Sequence, residues 1–364
     1  MGLNFAMKII SLSIFLTGIS VNAQFAYPEV KIPDPISELN AKEQPEYLIL
    51  DGKKVKEFLK TEKSDSGTET ELKRYAEDGS LIFSRWTVEV AHNSTFVPMP
   101  GLGSSNQDDT AEYTTTFSDG RITGFQTLSS KSSSNKAQIL YDSDGNIYQI
   151  KERYKSSEYL YERGKIIRQT NEFRGSLESI NFQYDVSGHP TSTIMEFTSP
   201  GEHPKSGTGT FTYDKAGNIL VSDIQSPMTS IRKEYTYQNN RLSSFTLFSD
   251  QHKKETVTYY YTPTGLLKQM IQTFYRPDTG AESVIRSTEY LYNDGLLSEK
   301  RKTEKSGKSA VLYSDVFVYN AQKQLIQITE LFGKSVKKKT DITYTKDTIT
   351  LTGNNSSTAY TLYQ

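Results

Sequence analysis

Apolar and polar residues alternate in short runs along most of this chain, and each run ends on an aromatic residue followed by a turn. Aligned on that residue, the runs end at Tyr75, Phe117, Tyr141, Tyr161, Tyr184, Tyr213, Tyr237, Tyr261, Tyr292, Tyr319 and Tyr344, with Leu50 as a degenerate start. Neighbouring anchors lie about 20 to 24 residues apart in the regular stretches, which is room for one β-hairpin and the turn to the next. Two residues before the anchors stand Ile139, Tyr159, Phe182, Phe211, Tyr235, Tyr259, Tyr290, Phe317 and Ile342, which strand alternation places on the anchor's own face. That face is apolar and largely aromatic. The opposite face, one residue before the anchor, is mixed: Thr116, Leu140, Gln183, Thr212, Thr236, Tyr260, Leu291 and Val318. Return strands open on an aliphatic residue at Ile122, Ile147, Ile166, Ile219, Leu242, Leu266, Leu297 and Leu325. No segment sustains a 3.6-residue period, so helix should be scarce. The pattern predicts an all-β fold, an antiparallel meander of about eleven or twelve repeated hairpins forming one continuous twisted or wrapped sheet.

Two turn chemistries follow the anchors. In the longer, Asp214-Lys215-Ala216-Gly217 reads as a type I turn capped by Asp, with Gly in the left-handed position of a bulge. Asp142 to Gly145 and Asp185 to Gly188 repeat it, and Thr262-Pro263-Thr264-Gly265 carries proline where that turn favours a fixed φ. The shorter type, at Asp51-Gly52, Asp119-Gly120, Asn239-Asn240 and Asp294-Gly295, reads as a two-residue turn with positive φ at both positions.

Outside the repeat the organisation changes. Lys8 precedes the apolar run Ile9 to Val21, and Val21-Asn22-Ala23 offers a small-residue cleavage site, so residues 1–23 read as a signal peptide and Gln24 as the mature start; Met7 is a second candidate initiator. The apolar run is too short for the roughly 20 residues of a membrane helix, and no membrane span is expected after cleavage. Residues 24–45, with Pro28, Pro33, Pro35 and Pro45, read as an extended proline-containing linker on which Phe25, Tyr27, Val30 and Ile32 could dock. Residues 46–364 form the repeat domain.

The units YDSDGNI, YDVSGHP and YDKAGNI resemble the YD repeat of the Rhs and teneurin families, with YTPTGLL and YNDGLLS as partial copies and YNAQKQL and YTKDTIT keeping the tyrosine and a later apolar residue. The resemblance covers roughly Leu50 to Tyr344. It implies a β-hairpin architecture of the kind that forms spiralling shells in large members, and it identifies a short, secreted, repeat-only bacterial form.

Lys plus Arg number 42 and Asp plus Glu 43, so no global field favours nucleic acid or an anionic membrane. Zero cysteines excludes disulfides, thiolate metal sites, thiol nucleophiles and a lipid-modified cysteine. His92, His189, His203 and His252 are too dispersed for a ligand motif and read as solvated loop residues. Asp142-Ser143-Asp144-Gly145-Asn146 opens like a calcium loop, but its twelfth position is Arg153, so a capped turn is the better reading. No carboxylate pair, Gly-x-Ser-x-Gly context or phosphate-binding loop stands out. No enzyme activity, metal or cofactor is therefore expected, and no ligand-binding residue is identified.

What remains is an asymmetry between the two rims. Anchored turns carry Asp and Gly, while the connections between hairpins are long and basic: Lys131 and Lys136, Lys205, His252 to Lys254, Lys305 and Lys308, Lys334 and Lys337 to Lys339. In a meander these share one rim, either as a binding surface or as solubilising edge charge. The longest interval, between Tyr75 and Phe117, holds Phe96, Pro98, Met99, Pro100, Gly101, Leu102 and Gly103 and suggests a lid or end cap; Trp86 before it reads as packed rather than as a sugar platform. The chain is thus expected to be exported to the periplasm or cell exterior as a binding or structural module, with a polysaccharide or another cell-envelope protein as partner and no role with nucleic acid. Alternatives are a wrapping or antitoxin-like partner of a polypeptide toxin, an outer-membrane barrel, and an enzyme whose site is assembled across loops.

Overall fold

The computed structural model describes residues 28–364 apart from 43–44, 51, 65–66, 91–108, 119–120, 130–134, 228, 307–308 and 364. The leader, Phe25, Tyr27, His92, Lys131, Lys308, Asp119-Gly120 and the Phe96 to Gly103 insertion lie outside the described residues. Among the described residues the chain forms two short helices, α1 (Pro35–Lys42) and α2 (Pro45–Leu50), and 24 antiparallel strands in one sheet, numbered β1 to β24 in chain order. Each strand pairs with its neighbours in sequence. The last, β24 (Ser356–Leu362), then pairs with the first, β1 (Val55–Ser64), over Phe58↔Tyr360 and adjacent positions. The meander is therefore neither open nor a spiral: it closes into a barrel, which removes both free edges.

The anchor face is the inner face. Ile139, Tyr159, Phe211, Tyr235, Tyr259, Tyr290, Phe317 and Ile342 are all buried, and Phe182 packs against them. Burying each such side chain contributes about 1.5 to 3 kcal/mol, so this layer dominates the stability of the barrel. The return-strand aliphatics join it, with one correction. Leu267, not Leu266, pairs with Tyr261 and packs on the core, because the five-residue turn places Leu266 at the closing turn position, where its amide donates to Thr262.

The anchors do more than pack. The Tyr141 hydroxyl donates to the carbonyl of Ile122 on the preceding hairpin (2.7 Å), and Tyr161, Tyr184, Tyr213, Tyr261, Tyr292 and Tyr344 donate in the same way to Ile147, Ile166, Pro190, Leu242, Leu267 and Leu325. Each hydroxyl stitches one hairpin to the one before it. Phe117 cannot donate; there Thr115, two residues earlier on the same strand, supplies the hydroxyl to Leu81 (2.8 Å). At the seam, the Tyr363 hydroxyl donates to the Tyr75 carbonyl (2.7 Å).

The turns follow their chemistry. Gly145, Gly188, Gly217 and Gly265 all have positive φ, and their amides donate to Asp142, Asp185, Asp214 and Thr262. The Asp214 carboxylate accepts the amides of Ala216 and Asn218 and the Asn218 side-chain amide. Asn239, Asn240, Asp294 and Gly295 all have positive φ, as a two-residue turn of this kind requires. The weak copy YNAQKQL builds the longer turn as well, with Asn320 accepting the amides of Gln322 and Gln324 and Lys323 at φ 62° in the glycine position.

Two expectations fail at the N-terminal end. Leu50 closes α2 and begins no hairpin; Lys53 donates to its carbonyl, and Gly52 at φ 74° turns the chain from helix into β1. The proline-containing stretch is not simply extended: Asp34 caps α1 by accepting the amides of Ile36 and Ser37, with Pro35 in the first turn, where its missing donor costs nothing. Val30, Leu48, Ile49 and Leu50 pack on the inner layer of strands near the seam, while Ile32, Ile36 and Leu39 pack on the layer from Phe211 to Tyr259. The segment thus fills the barrel at the end bearing the anchored turns.

Candidate functional site

The inner wall changes character along its length. On β21 (Leu325–Phe332) the inward positions, from the anchored turn outward, are Leu325 (1% exposed), Ile328 (7%), Glu330, which is exposed, and Phe332 (42%). On β19 (Leu296–Ser306) they run from Leu297 to Lys300, Lys302 and Glu304; on β20 (Ser309–Tyr319) from Phe317 to Asp315 and Tyr313. Near the seam, buried Lys73 marks the transition, with its ammonium 2.6 Å from Glu71 and over the Phe58 ring. One end of the barrel is filled with aromatic side chains and the N-terminal segment. The other is an open, polar mouth.

Two clefts indent this mouth on either side of β22 (Ser335–Tyr344). One, of about 490 Å³, is bounded by Glu62, Glu69, Val88, Lys337, Lys338 and Ser356; the other, of about 520 Å³, by Lys302, Tyr313, Asp315, Glu330, Phe332 and Lys337. Lys337 borders both. Tyr313 and Phe332 face each other across the strand pair, with ring centroids 5.2 Å apart and planes at 51°. The Lys337 ammonium lies 5.2 Å above the Phe332 ring. Lys302 is within 3.4 Å of Asp315, and the Trp86 indole donates to Glu69 (2.7 Å) on the inner wall beside the first cleft. Among the described residues no carboxylate pairs with Lys337 or Lys338.

Among the described residues the lysines grouped by the sequence share this rim, although in strands and tight turns instead of long loops: Lys205 opens β12 (Lys205–Tyr213), His252 to Lys254 open β16 (His252–Tyr261), Lys305 is the last residue but one of β19, and Lys337 to Lys339 lie in β22. Two-residue turns at Asp250-Gln251 and Arg174-Gly175 account for the short connections. Sequence reasoning did not find Tyr313 and Phe332. Both sit several residues from an anchor, and their inward direction follows only from the pairing register.

The remaining candidates are structural. Asp142 accepts amides from Asp144 and Asn146 and the Asn146 side chain, which holds its carboxyl below the usual range and makes it a turn cap. His189 occupies the corresponding closing position of its own turn, stacks on Tyr213 at 4.8 Å and lies 3.3 Å from the Asp185 carboxylate; His203 and His252 are exposed at the mouth.

Fold and site together define a closed up-and-down β-barrel of hairpin repeats, filled at one end and open at the other. No family model matches the chain, and no curated protein does. Among solved structures it is similar to the crystal structure of TcdB2-TccC3-Cdc42, with a TM-score of 0.30 and 10% identity over 82% of this chain and 21% of that one. A porin-like protein from Bacteroides uniformis gives a TM-score of 0.26 and 14% identity over 57% of this chain and 96% of that one. The chain thus spans about a fifth of the length of the first of these. Likenesses of this extent carry no argument about activity or partners.

Proposed function

We propose that this protein is an exported, non-enzymatic binding module of the bacterial cell envelope, built from YD-type repeats, which takes a polysaccharide at the open mouth of its barrel. The observation that carries the reading is the contrast between the ends: one is packed with buried aromatic side chains and the N-terminal segment, whereas the mouth combines two clefts, an exposed aromatic pair and lysines that form no ion pair among the described residues. Clefts of a few hundred Å³ with aromatic walls and a few polar groups suit a small number of sugar rings. The leader supplies the export route.

Closure of the sheet also meets the first requirement of an outer-membrane barrel. Against that reading, the outer wall carries ion pairs where lipid would need apolar side chains: Arg74 with Glu57, Arg85 with Glu112, and Arg301 with Glu299. No helix among the described residues is long and apolar enough to cross a membrane, which says nothing of strands. Fractionation of cells expressing the full chain, with N-terminal sequencing of the product, is the first test. Release without detergent and a sequence starting at Gln24 agree with the proposal; recovery only in detergent favours the membrane barrel. Binding of the purified product to a polysaccharide array is the second, and capture of a single polypeptide partner with no glycan bound favours the wrapping role.

A further inference from the structure

Within the mouth, one residue is displaced from the regular ladder. β21 and β22 pair Glu330 with Lys338 and then Leu331 with Val336, so Lys337 is the extra residue of a β-bulge and has no partner across the pair. A bulge re-aims the side chain it carries, and bulges concentrate beside functional sites. Here it places the Lys337 ammonium over the exposed Phe332 ring, on the border of both clefts. The Phe332 and Tyr313 rings, 42% and 47% exposed, form an angled wall below it. Of the acidic residues nearby, Asp315 is engaged by Lys302, Glu69 by Trp86 and Glu62 by Lys60, while Glu330, which also lines the second cleft, pairs in register with Lys338. Among the described residues neither Lys337 nor Lys338 forms an ion pair, and Lys337, the residue displaced from the ladder, stands beside the aromatic plate.

Building on the binding reading above, we infer that the Lys337 bulge with Phe332 and Tyr313 is a subsite for an anionic polysaccharide of the uronic-acid type. The apolar C–H face of a pyranose ring packs on the aromatic wall, while its carboxylate meets the ammonium that the bulge holds in place. A neutral sugar would use the wall and leave the cations idle. An acidic polypeptide would use the cations and leave the wall idle. The combination of the two selects the charged sugar.

The experiment uses the purified mature chain with three probes, polygalacturonate, dextran and poly-glutamate, each titrated at low and high salt. The variants are Lys337→Gln and Phe332→Leu, with Lys253→Gln as a control elsewhere on the rim, and thermal unfolding of each variant checks that the fold is kept. Expected are tightest binding to polygalacturonate, weakening with salt, and a loss of about tenfold in both Lys337→Gln and Phe332→Leu but not in Lys253→Gln. Dextran bound as tightly as polygalacturonate, with no salt effect and no loss in Lys337→Gln, overturns the inference and leaves the polysaccharide reading standing. Poly-glutamate bound equally well, without dependence on Phe332, overturns the inference in favour of an acidic protein partner. Binding to none of the probes overturns the inference, and absence of binding across the wider array overturns the reading on which it rests.

Discussion

The two ends of this barrel are made by the same strands yet obey different rules. At the anchored-turn end most hairpins repeat one set of interactions: a buried aromatic or aliphatic residue, a tyrosine hydroxyl bound to the preceding hairpin, a turn with a residue at positive φ. At the mouth the connections differ from one hairpin to the next, and inner positions carry Lys, Glu and exposed aromatics. Repetition holds the ring together because each hairpin must be tied to its neighbour in the same way around the whole circumference. The mouth is freed from that task, and variation there costs the fold little. This is the division of labour between a rigid scaffold and its binding rim.

The contrast is tested most forcefully by base. Burial pushes the Tyr75 and Tyr213 hydroxyls up to about 12 and raises Tyr141, Tyr161, Tyr184, Tyr261, Tyr319 and Tyr344 as well. A raised folded-state value means that the unfolded chain ionises first. The stability these groups contribute is therefore complete below pH 10, their ordinary value, and is lost as pH rises from there through about 12. Unfolding followed by circular dichroism should coincide with tyrosinate absorbance in that window; tyrosinate formation without loss of structure would break the assignment of Tyr141, Tyr161, Tyr184, Tyr213, Tyr261 and Tyr344 as ties.

Truncation along a single inner face gives the next largest effect. Leu325→Ala removes a fully buried side chain and should destabilise by about 2 to 5 kcal/mol, whereas Phe332→Ala, on the same strand and face at the mouth, should change stability by less than about 0.5 kcal/mol. Urea unfolding of both variants measures the difference. Similar losses would mean that the mouth is as closely packed as the filled end.

Turn chemistry comes third. Gly217 has φ 85° and lies against the His189 ring, so Gly217→Val should cost about 1 to 3 kcal/mol, while Lys215→Val in the same turn should cost little. Equal effects would show that the backbone does not hold the turn in this geometry.

The smallest effect concerns the hydroxyl stitch. Tyr213→Phe, and likewise Thr115→Val, should each destabilise by about 0.5 to 1.5 kcal/mol. If Thr115 stands in for the missing anchor hydroxyl, adding Phe117→Tyr to Thr115→Val should recover part of the loss. A rescue equal to the effect of Phe117→Tyr alone would show that the two positions are independent.

Much of this architecture is legible in the chain itself. The anchors, their partners two residues earlier and the Asp or Gly of each turn all act within one hairpin, where alternation and turn chemistry are local and need no knowledge of the rest. Even YNAQKQL, which keeps little of the repeat, folds the same turn because Asn320 can accept what Asp accepts elsewhere. The hydroxyl stitch is a step less legible, since its acceptor is a backbone carbonyl on another hairpin and carries no residue signature.

Closure is not written locally at all. Whether β24 meets β1 depends on twist and stagger accumulated over 24 strands, and only the assembled sheet brings Tyr360 onto Phe58 and Tyr363 onto Tyr75. The same closure creates an interior, and only then do Val30, Ile32, Ile36 and Leu39 have an apolar surface to fold into; read alone, their proline-containing segment is a linker. It also decides which lysine matters. All six residues from Lys334 to Lys339 are exposed, a row that a sequence reads as undifferentiated edge charge, and a one-residue slip against β21 singles out Lys337, because pairing register is a property of two strands and not of one.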